Sequence, residues 1–280
     1  MKIRLSDRYL CALALLFCLG ATPAAARQSE ARPTLFYVGD STVKAGAGDG
    51  ANGQWGWGDH TATYFDTTRV RIVNHALGGR SSRTYITQGH WGRVLDELRP
   101  GDVVVIQFGH NDVTAVNDAQ RARGTLRGVG EETAEIHNML TGEHEVVHTF
   151  GAYLRRYIAE TRARGATPVL ASLVPRNIRE DGRYRRDDDS YAGWTRQVAE
   201  REAVAFIDLN ELVAAEYDRL GPSGVAPLFH GDDTHTSLQG AQLTAAVIVR
   251  ALRDLDESPV AGLLSPAGLE LSAHPGEDTP

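Results

Sequence analysis

The sequence predicts an α/β protein built as a three-layer α/β/α sandwich around a parallel sheet. Short, almost continuous apolar runs alternate along the chain with segments of helical periodicity. Strands of a parallel sheet have this uninterrupted apolar pattern, because helices bury both of their faces. The chain also has no internal repeat and no Ser/Pro-rich linker before its C-terminal region, which favours a single domain.

Five apolar runs are predicted as strands, and five periodic segments are predicted as helices. The strands are Thr34–Val38, Arg69–Asn74, Asp102–Phe108, Thr167–Val174 and Ala203–Asp208. The helices are Gly58–Phe65, Trp91–Leu98, Thr149–Arg164, Ser190–Glu202 and Leu238–Leu255. The arginine-rich run Arg176–Arg186 is predicted as a solvated loop.

Three parts are expected along the chain. They are a signal peptide (1–26), one globular domain (27–256) and a flexible C-terminal tail (257–280). The basic segment Met1–Arg8 precedes the apolar run Tyr9–Ala21, and Ala24–Ala26 supply the small residues of a cleavage site. An uncleaved membrane anchor is the alternative, although the apolar run is short for a bilayer span.

The composition is that of an ordinary soluble protein, with 42% hydrophobic and 23% charged residues among 280. Both cysteines, Cys11 and Cys18, lie in the predicted signal peptide, so we expect no disulfide in the mature chain. Cleavage leaves 26 basic and 35 acidic residues, a net charge of −9, which disfavours a nucleic-acid partner. An exported chain of this size can do without disulfides, because about 250 residues form a self-sufficient core. We also expect a monomer with no membrane contact after cleavage.

Two short blocks follow predicted strands and contain candidate catalytic groups. Gly39-Asp40-Ser41-Thr42 directly follows the first strand, and ligands bind at the carboxyl ends of parallel strands. Ser41 is therefore a candidate nucleophile, with a simple turn serine as the alternative. Gly79 follows the second strand, where a glycine leaves a backbone N–H open to an oxyanion. A plain turn explains this glycine equally well.

Two further blocks complete the set. Gly109-His110-Asn111-Asp112 ends the third strand, and the Asn111 amide can donate to an oxyanion or form an Asx turn. Asp232 and His235 lie three residues apart ahead of the last helix. A carboxylate bonded to an imidazole fixes its tautomer, so that the other ring nitrogen acts as general base. Helix capping and metal binding are the alternatives for this pair.

In this order, the four blocks resemble the signature of the GDSL, or SGNH, hydrolases. The matching residues are Gly39-Asp40-Ser41, Gly79, Gly109-x-Asn111 and Asp232-x-x-His235. The longer segments Asn74–Arg83, Phe108–Asp112 and Asp232–Ser237 are most similar to the rhamnogalacturonan acetylesterase group. The resemblance extends from about Thr34 to Leu252.

The resemblance implies a flavodoxin-like fold with a five-stranded parallel sheet. It also implies a secreted or periplasmic esterase that removes O-acetyl groups from pectic rhamnogalacturonan, without a metal or other cofactor. Ser41 would be the nucleophile, His235 the base and Asp232 its orienting carboxylate. The backbone N–H groups of Ser41 and Gly79 and the side-chain amide of Asn111 would form the oxyanion hole.

Other functions fit parts of the sequence. The same chemistry would serve an esterase acting on xylan, other acetylated glycans or small esters, or an O-acetyltransferase, and the fold can also form a non-catalytic glycan-binding protein. His144-Glu145-Val146-Val147-His148 matches the H-E-x-x-H pattern of zinc hydrolases, which needs both histidines on one face of a helix. We expect the helix to begin near Thr149, so these histidines are predicted in a loop or at the helix start.

Three residues are candidate contacts to the polysaccharide substrate. Trp57, like Trp55 in the same Gly-rich loop, can stack on a sugar ring, with packing in the core as the alternative. Arg80 and Arg83 flank the candidate oxyanion glycine, and a guanidinium there can pair with a galacturonate carboxylate. The long polar connection from Val113 to His148 is expected to be a functional loop, with a disordered excursion as the alternative. Its part from Leu126 to His148 can form a lid, a subsite wall or plain decoration.

Overall fold

The structure is a computed structural model that describes residues 32–272, so the predicted signal peptide and residues 273–280 lie outside the described residues. Nine strands are formed within this range. They are β1 (Thr34–Gly39), β2 (Arg71–Asn74), β3 (Val103–Gln107), β4 (Thr133–His137), β5 (His144–His148), β6 (Thr167–Ala171), β7 (Arg179–Glu180), β8 (Arg183–Tyr184) and β9 (Ala205–Ile207).

Seven α-helices are formed within the same range. They are α1 (Ser82–Thr87), α2 (His90–Glu97), α3 (Phe150–Ala163), α4 (Tyr191–Glu202), α5 (Leu209–Val225), α6 (Leu238–Arg253) and α7 (Pro266–Leu269). None of these helices combines the length and the apolar character that crossing a membrane requires.

The central sheet has five parallel strands in the order β2-β1-β3-β6-β9. The predicted α/β fold with a five-stranded parallel sheet is therefore confirmed. Phe36 of β1 is in register with Val73 of β2 on one side and with Val104 of β3 on the other. The connection after β1 therefore leads to β2 on one side of it, and the connection after β2 leads to β3 on the other side. The crevice at such a switch point is where open α/β sheets bind ligands. Ser41 follows β1 and Asn111 follows β3 at this crevice.

Alternate side chains of β1 enter two separate cores. Tyr37 belongs to the core that contains Val213 of α5 and Val247 of α6, whereas Phe36 belongs to the core that contains Tyr157 of α3. Both Phe36 and Tyr37 are fully buried. Burial on both faces explains why the strand has an uninterrupted apolar sequence.

Side-chain caps determine where the helices next to the site begin. The Ser81 hydroxyl accepts from the backbone N–H of Thr84, and the Thr84 hydroxyl accepts from the backbone N–H of Ser81, which forms a capping box at α1. Ser237 caps α6 by accepting from the backbone N–H of Gly240, and Thr149 caps α3 in the same way. The loops before these helices therefore end at positions that the capping residues of the local sequence determine.

Two helical regions differ from the prediction. Two 3-10 turns, Trp57–His60 and Ala62–Tyr64, replace the predicted helix Gly58–Phe65. The N–H groups of Trp57 and Gly58 donate to the carbonyls of Thr42 and Val43, in the turn that follows β1. Helix α5 was not predicted. Asp208 caps it, so the strand before it ends earlier than expected.

The prediction of a solvated loop for Arg176–Arg186 is wrong. It contains the short antiparallel pair β7–β8, and Tyr184 is buried with 2% exposure. Arg186 is largely buried and pairs with Glu211 at 2.8 Å and with Asp218 at 2.6 Å. These two carboxylates lie on α5, so the unpredicted helix is what holds the segment in place.

Residues 257–272 differ from the flexible tail that we expected. Val260 is fully buried, and Leu264 forms a bridge with Phe65. The backbone N–H of Ser265 donates to the carbonyl of Tyr64 at 3.0 Å. As far as residue 272, the chain after α6 therefore packs against the domain.

The connection Val113–His148 contains an antiparallel hairpin, β4–β5, where we predicted a loop. A buried ion pair attaches it to α1. The fully buried Arg83 donates from Nε and Nη2 to the carboxylate of Glu145, at 2.7 and 2.6 Å. Its Nη1 donates to the carbonyls of Val116 and Gly124. One side chain thus binds three parts of the connection.

Glu145→Gln is expected to lower the free energy of unfolding by about 3 kcal/mol, since it leaves the buried guanidinium of Arg83 without its counter-charge. Urea denaturation measures the change. Glu135→Gln on the same hairpin is the matched control, because this exposed carboxylate pairs only with the exposed His144. The control should change stability by less than about 0.5 kcal/mol. Equal effects of the two substitutions would contradict the role given to the buried pair.

Candidate active site

Three side chains form a hydrogen-bonded chain at the carboxyl end of β1. Oγ of Ser41 lies 2.9 Å from Nε2 of His235, and Nδ1 of His235 lies 2.7 Å from Oδ2 of Asp232. In this arrangement a carboxylate fixes the tautomer of an imidazole whose other nitrogen can accept the hydroxyl proton. The fold thus brings together a serine and a histidine that are 194 residues apart.

The turn that presents Ser41 is built by its neighbours. Asp40 is fully buried, and its Oδ1 accepts from the backbone N–H and the hydroxyl of Thr42 at 2.9 and 2.8 Å. The carbonyl of Asp40 accepts from the N–H groups of Val43 and Lys44. The backbone N–H of Ser41 takes no part in closing the turn, and it donates to no acceptor within residues 32–272.

The loop that contains Asp232 and His235 is held by its own hydrogen bonds. Oδ1 of Asp232 accepts from the backbone N–H groups of Thr234 and His235 at 2.8 and 2.7 Å. Burial acts to raise the pKa of Asp232, but the hydrogen bonds from His235 and Thr234 outweigh it and hold this pKa below its ordinary value. The carboxylate is therefore ionised at neutral pH.

Neighbouring segments fasten this loop to the domain. Arg176 pairs with Asp233 at 3.1 Å. On the other side, the backbone N–H of Trp55 donates to the carbonyl of Thr236, and the Thr236 hydroxyl donates to the carbonyl of Trp55. The position of the imidazole therefore depends on contacts with two segments outside its own loop.

The predicted oxyanion donors lie beside the serine. Gly79 has a φ of +76°, a conformation that favours glycine, and its N–H has no acceptor in the described part of the chain. A Cβ at Gly78 would lie 3.6 Å from the Cβ of Ser41, so this turn lies against the serine. Asn111 is 7% exposed, and its amide donates to the carbonyl of Arg80 at 2.8 Å. Two N–H groups without an acceptor and an anchored amide therefore lie on neighbouring turns around the serine.

The sequence reading missed Arg123, which holds the turn that contains Gly79. Its Nη1 donates to the carbonyl of Gly79 at 2.9 Å, and its buried Nε has no partner among residues 32–272. The next residue, Gly124, packs so tightly that a Cβ there would lie 2.0 Å from the carbonyl oxygen of Thr114. Gly124 was the one local feature of the sequence that indicated a tightly packed turn beside Arg123, since no motif contains Arg123 itself.

A group of buried titratable residues lies under the site. His110 is 6% exposed, and burial lowers its pKa, although the charge of Asp40 acts in the opposite direction. Burial raises the pKa of Asp112 to about 7, despite hydrogen bonds from the backbone N–H and hydroxyl of Ser82. His110 is therefore neutral at neutral pH, and Asp112 titrates near pH 7.

Two of the predicted substrate contacts lie in the interior instead. Trp57 is 1% exposed, and its Nε1 donates to Oε1 of Gln107 at 2.9 Å. Arg83 is fully buried against Glu145. Neither side chain can touch a glycan, so both predictions are wrong. Arg80 is half-buried, and local hydrogen bonds hold its guanidinium.

The H-E-x-x-H segment lies on strand β5, neither in a loop nor at a helix start. His144 and His148 are four residues apart, which is about 13 Å along a strand and too far for the pair to chelate one ion as in a zinc-hydrolase helix. Glu145 is occupied by Arg83. Residues 32–272 contain no group of three or more His, Cys, Asp and Glu side chains arranged to hold a metal ion.

Comparison with known proteins connects this geometry to a family. The sequence profile of the GDSL-like Lipase/Acylhydrolase family matches residues 37–243. The chain belongs to this family. The resemblance of the four blocks is thereby confirmed, and the protein is a carboxylic ester hydrolase.

Two relatives of this family member are rhamnogalacturonan acetylesterases by name. One, from Emericella nidulans, is 32% identical over 219 residues, which cover 78% of this chain and 84% of the relative. The other, the probable rhamnogalacturonan acetylesterase YesY from Bacillus subtilis, is 30% identical over 226 residues, covering 79% and 93%.

Solved structures of similar proteins share the fold. The protein YxiM from Bacillus subtilis has a TM-score of 0.63 at 24% identity, covering 80% of this chain and 56% of that one. An acetylxylan esterase from Geobacillus stearothermophilus has a TM-score of 0.52 at 20% identity, covering 78% and 93%. At these identities the likeness concerns the fold alone.

Asp112→Asn is expected to change how stability depends on pH. The folded state raises the pKa of Asp112 from the ordinary 3.8 to about 7, so it binds the proton more tightly than the unfolded chain does. The free energy of unfolding of the wild type should therefore fall, relative to the variant, as pH rises from 3.8 to about 7, and the difference should be constant above that. Urea denaturation of both proteins across this range measures it. A difference that does not vary with pH would contradict the raised pKa.

Proposed function

We propose that this protein is a serine esterase that removes O-acetyl groups from plant cell-wall polysaccharide, with pectic rhamnogalacturonan as its substrate. The observation that carries the proposal is the chain of hydrogen bonds from Ser41 through His235 to Asp232. The substrate class is supported by the names of the two relatives that are 30% and 32% identical over more than three quarters of this chain.

The first half of the reaction transfers the acetyl group to the enzyme. His235 accepts the hydroxyl proton of Ser41 on Nε2 while the serine oxygen attacks the acetyl carbonyl carbon. The ionised Asp232 accepts the hydrogen bond from Nδ1–H and stabilises the imidazolium that forms. The tetrahedral intermediate then expels the sugar oxygen, which takes the proton from His235, and an acetyl-serine remains.

The oxyanion of this intermediate needs hydrogen-bond donors that are already in position. The open N–H groups of Ser41 and Gly79, together with the amide of Asn111, supply them. Because Arg123 holds the carbonyl of Gly79, the turn need not reorganise when the negative charge develops.

The second half of the reaction repeats the same steps with water. His235 takes a proton from water, the hydroxide attacks the acetyl-serine, and acetate leaves while Ser41 recovers its proton. Nucleophile, base and oxyanion donors are all protein groups, so the proposed reaction uses no metal or other cofactor. We further propose export to the periplasm or the cell exterior, on the basis of residues 1–26, because cell-wall polysaccharide is met outside the cytoplasm.

The function is tested by acetate release from acetylated rhamnogalacturonan and acetylated xylan in parallel, with wild type and Ser41→Ala, in the presence of a chelator. We expect faster release from rhamnogalacturonan by the wild type and a loss of at least about 10³-fold in the variant. Release from xylan alone would retain the mechanism and overturn the substrate. Unchanged activity in Ser41→Ala would overturn the serine mechanism, and acetyl transfer to a sugar without free acetate would indicate a transferase.

Asn111→Ala is expected to lower kcat by about 10²–10³-fold with little change in KM, because the lost amide stabilises the oxyanion and not the bound ester. Steady-state kinetics with 4-nitrophenyl acetate measure this. Gln88→Ala is the matched control, because the Gln88 amide contacts only the side chain of Arg80, the residue whose carbonyl Asn111 contacts. The kcat of this control should stay within about twofold of the wild type. An unchanged kcat in a folded Asn111→Ala protein would remove Asn111 from the oxyanion hole.

A further inference from the structure

A cavity of about 500 Å³ lies beside the candidate active site, at the carboxyl ends of β3 and β6. His110, next to the oxyanion amide, forms part of its wall, together with Leu173 after β6 and Tyr191 at the start of α4. Arg176, which pairs with Asp233 of the catalytic loop, lines it as well. Its volume is in the range of small-molecule binding sites.

His110 is a buried polar side chain with unused hydrogen-bonding capacity in this wall. It is only 6% exposed, yet neither ring nitrogen has a partner among residues 32–272. Buried polar groups are usually paired, because leaving one unpaired costs free energy. Burial lowers the pKa of His110, so the ring is neutral and offers one donor and one acceptor. A bound molecule with both kinds of group would satisfy it.

Two opposite charges on the same wall also lack partners. The guanidinium groups of Arg176, Arg185 and Arg186 are all paired with carboxylates. Arg127 has no ion pair and no hydrogen bond within the described range, and it lies 5.4 Å from the centre of the Trp194 ring. Asp189 is likewise exposed and unpaired in residues 32–272.

We propose that this cavity is a subsite for an uncharged sugar residue of the glycan, adjoining the residue that carries the acetyl group. The proposal rests on the proposed function, and it assigns the binding to Arg127, Asp189 and His110. The two unpaired charges of the wall, Arg127 and Asp189, sum to zero and give no net attraction to an anionic or a cationic sugar. A neutral sugar can use both as hydrogen-bonding partners without meeting a like charge.

Sugar hydroxyls match this set of groups. A hydroxyl donates one hydrogen bond and accepts others, so one hydroxyl can accept from Arg127 while another donates to Asp189. Hydrogen bonds to charged groups are the stronger ones. The guanidinium carbon of Arg127 lies over the ring of Trp194, a cation–π contact that uses none of the N–H groups as hydrogen-bond donors to an oxygen.

The test compares two substrates in each of two variants, Arg127→Gln and Asp189→Asn. The quantity measured is kcat/KM for acetylated rhamnogalacturonan divided by kcat/KM for 4-nitrophenyl acetate, which has no sugar to place in the cavity. Each variant should lower this ratio about tenfold, mainly through KM, because each loses a hydrogen bond to a charged group. Arg69→Gln and Asp96→Asn are controls, since both residues are exposed and lie outside the cavity wall, and the ratio should not change.

Other outcomes overturn defined parts of the proposal, and a ratio lowered in one variant only would remove the other residue from the subsite. A lower ratio in Arg127→Gln with a higher ratio in Asp189→Asn would show that the occupant is a uronate, because the second variant removes a repulsion. An unchanged ratio in both variants would show that the glycan does not enter the cavity. A wild type that hydrolyses 4-nitrophenyl acetate but releases no acetate from any polysaccharide would overturn the proposed function itself.

Discussion

The close approach of Gly39 to the backbone of β3 is the constraint on which the candidate site depends. A Cβ at this position would lie 2.6 Å from the carbonyl oxygen of Gln107, so no side chain fits. Because this contact is free of a side chain, β1 can end against β3 and turn at once to present Ser41. The Gln107 side chain then fastens the turn, since its Nε2 donates to the hydroxyl of Thr42 and its Oε1 accepts from the indole N–H of Trp57. The serine is thus held by buried hydrogen bonds to the neighbouring strand.

Arginine side chains hold the loops of this protein where disulfides are absent. Residues 32–272 contain no cysteine and a single lysine, Lys44. Two or more backbone carbonyls accept hydrogen bonds from each of Arg83, Arg155, Arg162 and Arg253. A guanidinium offers five N–H donors in a fixed geometry, so it can satisfy several loop carbonyls that have no partner in a helix or sheet. The contact of Arg123 with Gly79 applies the same device to the candidate active site.

The sequence was sufficient where the deciding interactions are local. Apolar runs predicted the five strands of the central sheet, and the hydrogen bonds of Asp232–His235 lie within one short loop. It was insufficient where the partner lies far along the chain. The buried indole of Trp57 donates to Gln107, 50 residues away, and the buried guanidinium of Arg83 pairs with Glu145, 62 residues away. The hairpin β4–β5 was not predicted because its strands are mostly exposed and polar. Helix α5 was not predicted because a Gly-Pro kink interrupts its sequence pattern.

The proposed chemistry and the proposed substrate recognition depend on different parts of the chain. Ser41, Asn111 and the loop before α6 follow strand ends or precede a helix, and the sequence blocks of the family mark them. His110 of the third block forms part of the cavity wall, but Arg127 of the long connection and Asp189 of the segment before α4 line it from segments that contain none of the four blocks. Substitutions in those segments can therefore change which sugar fits without moving the proposed nucleophile.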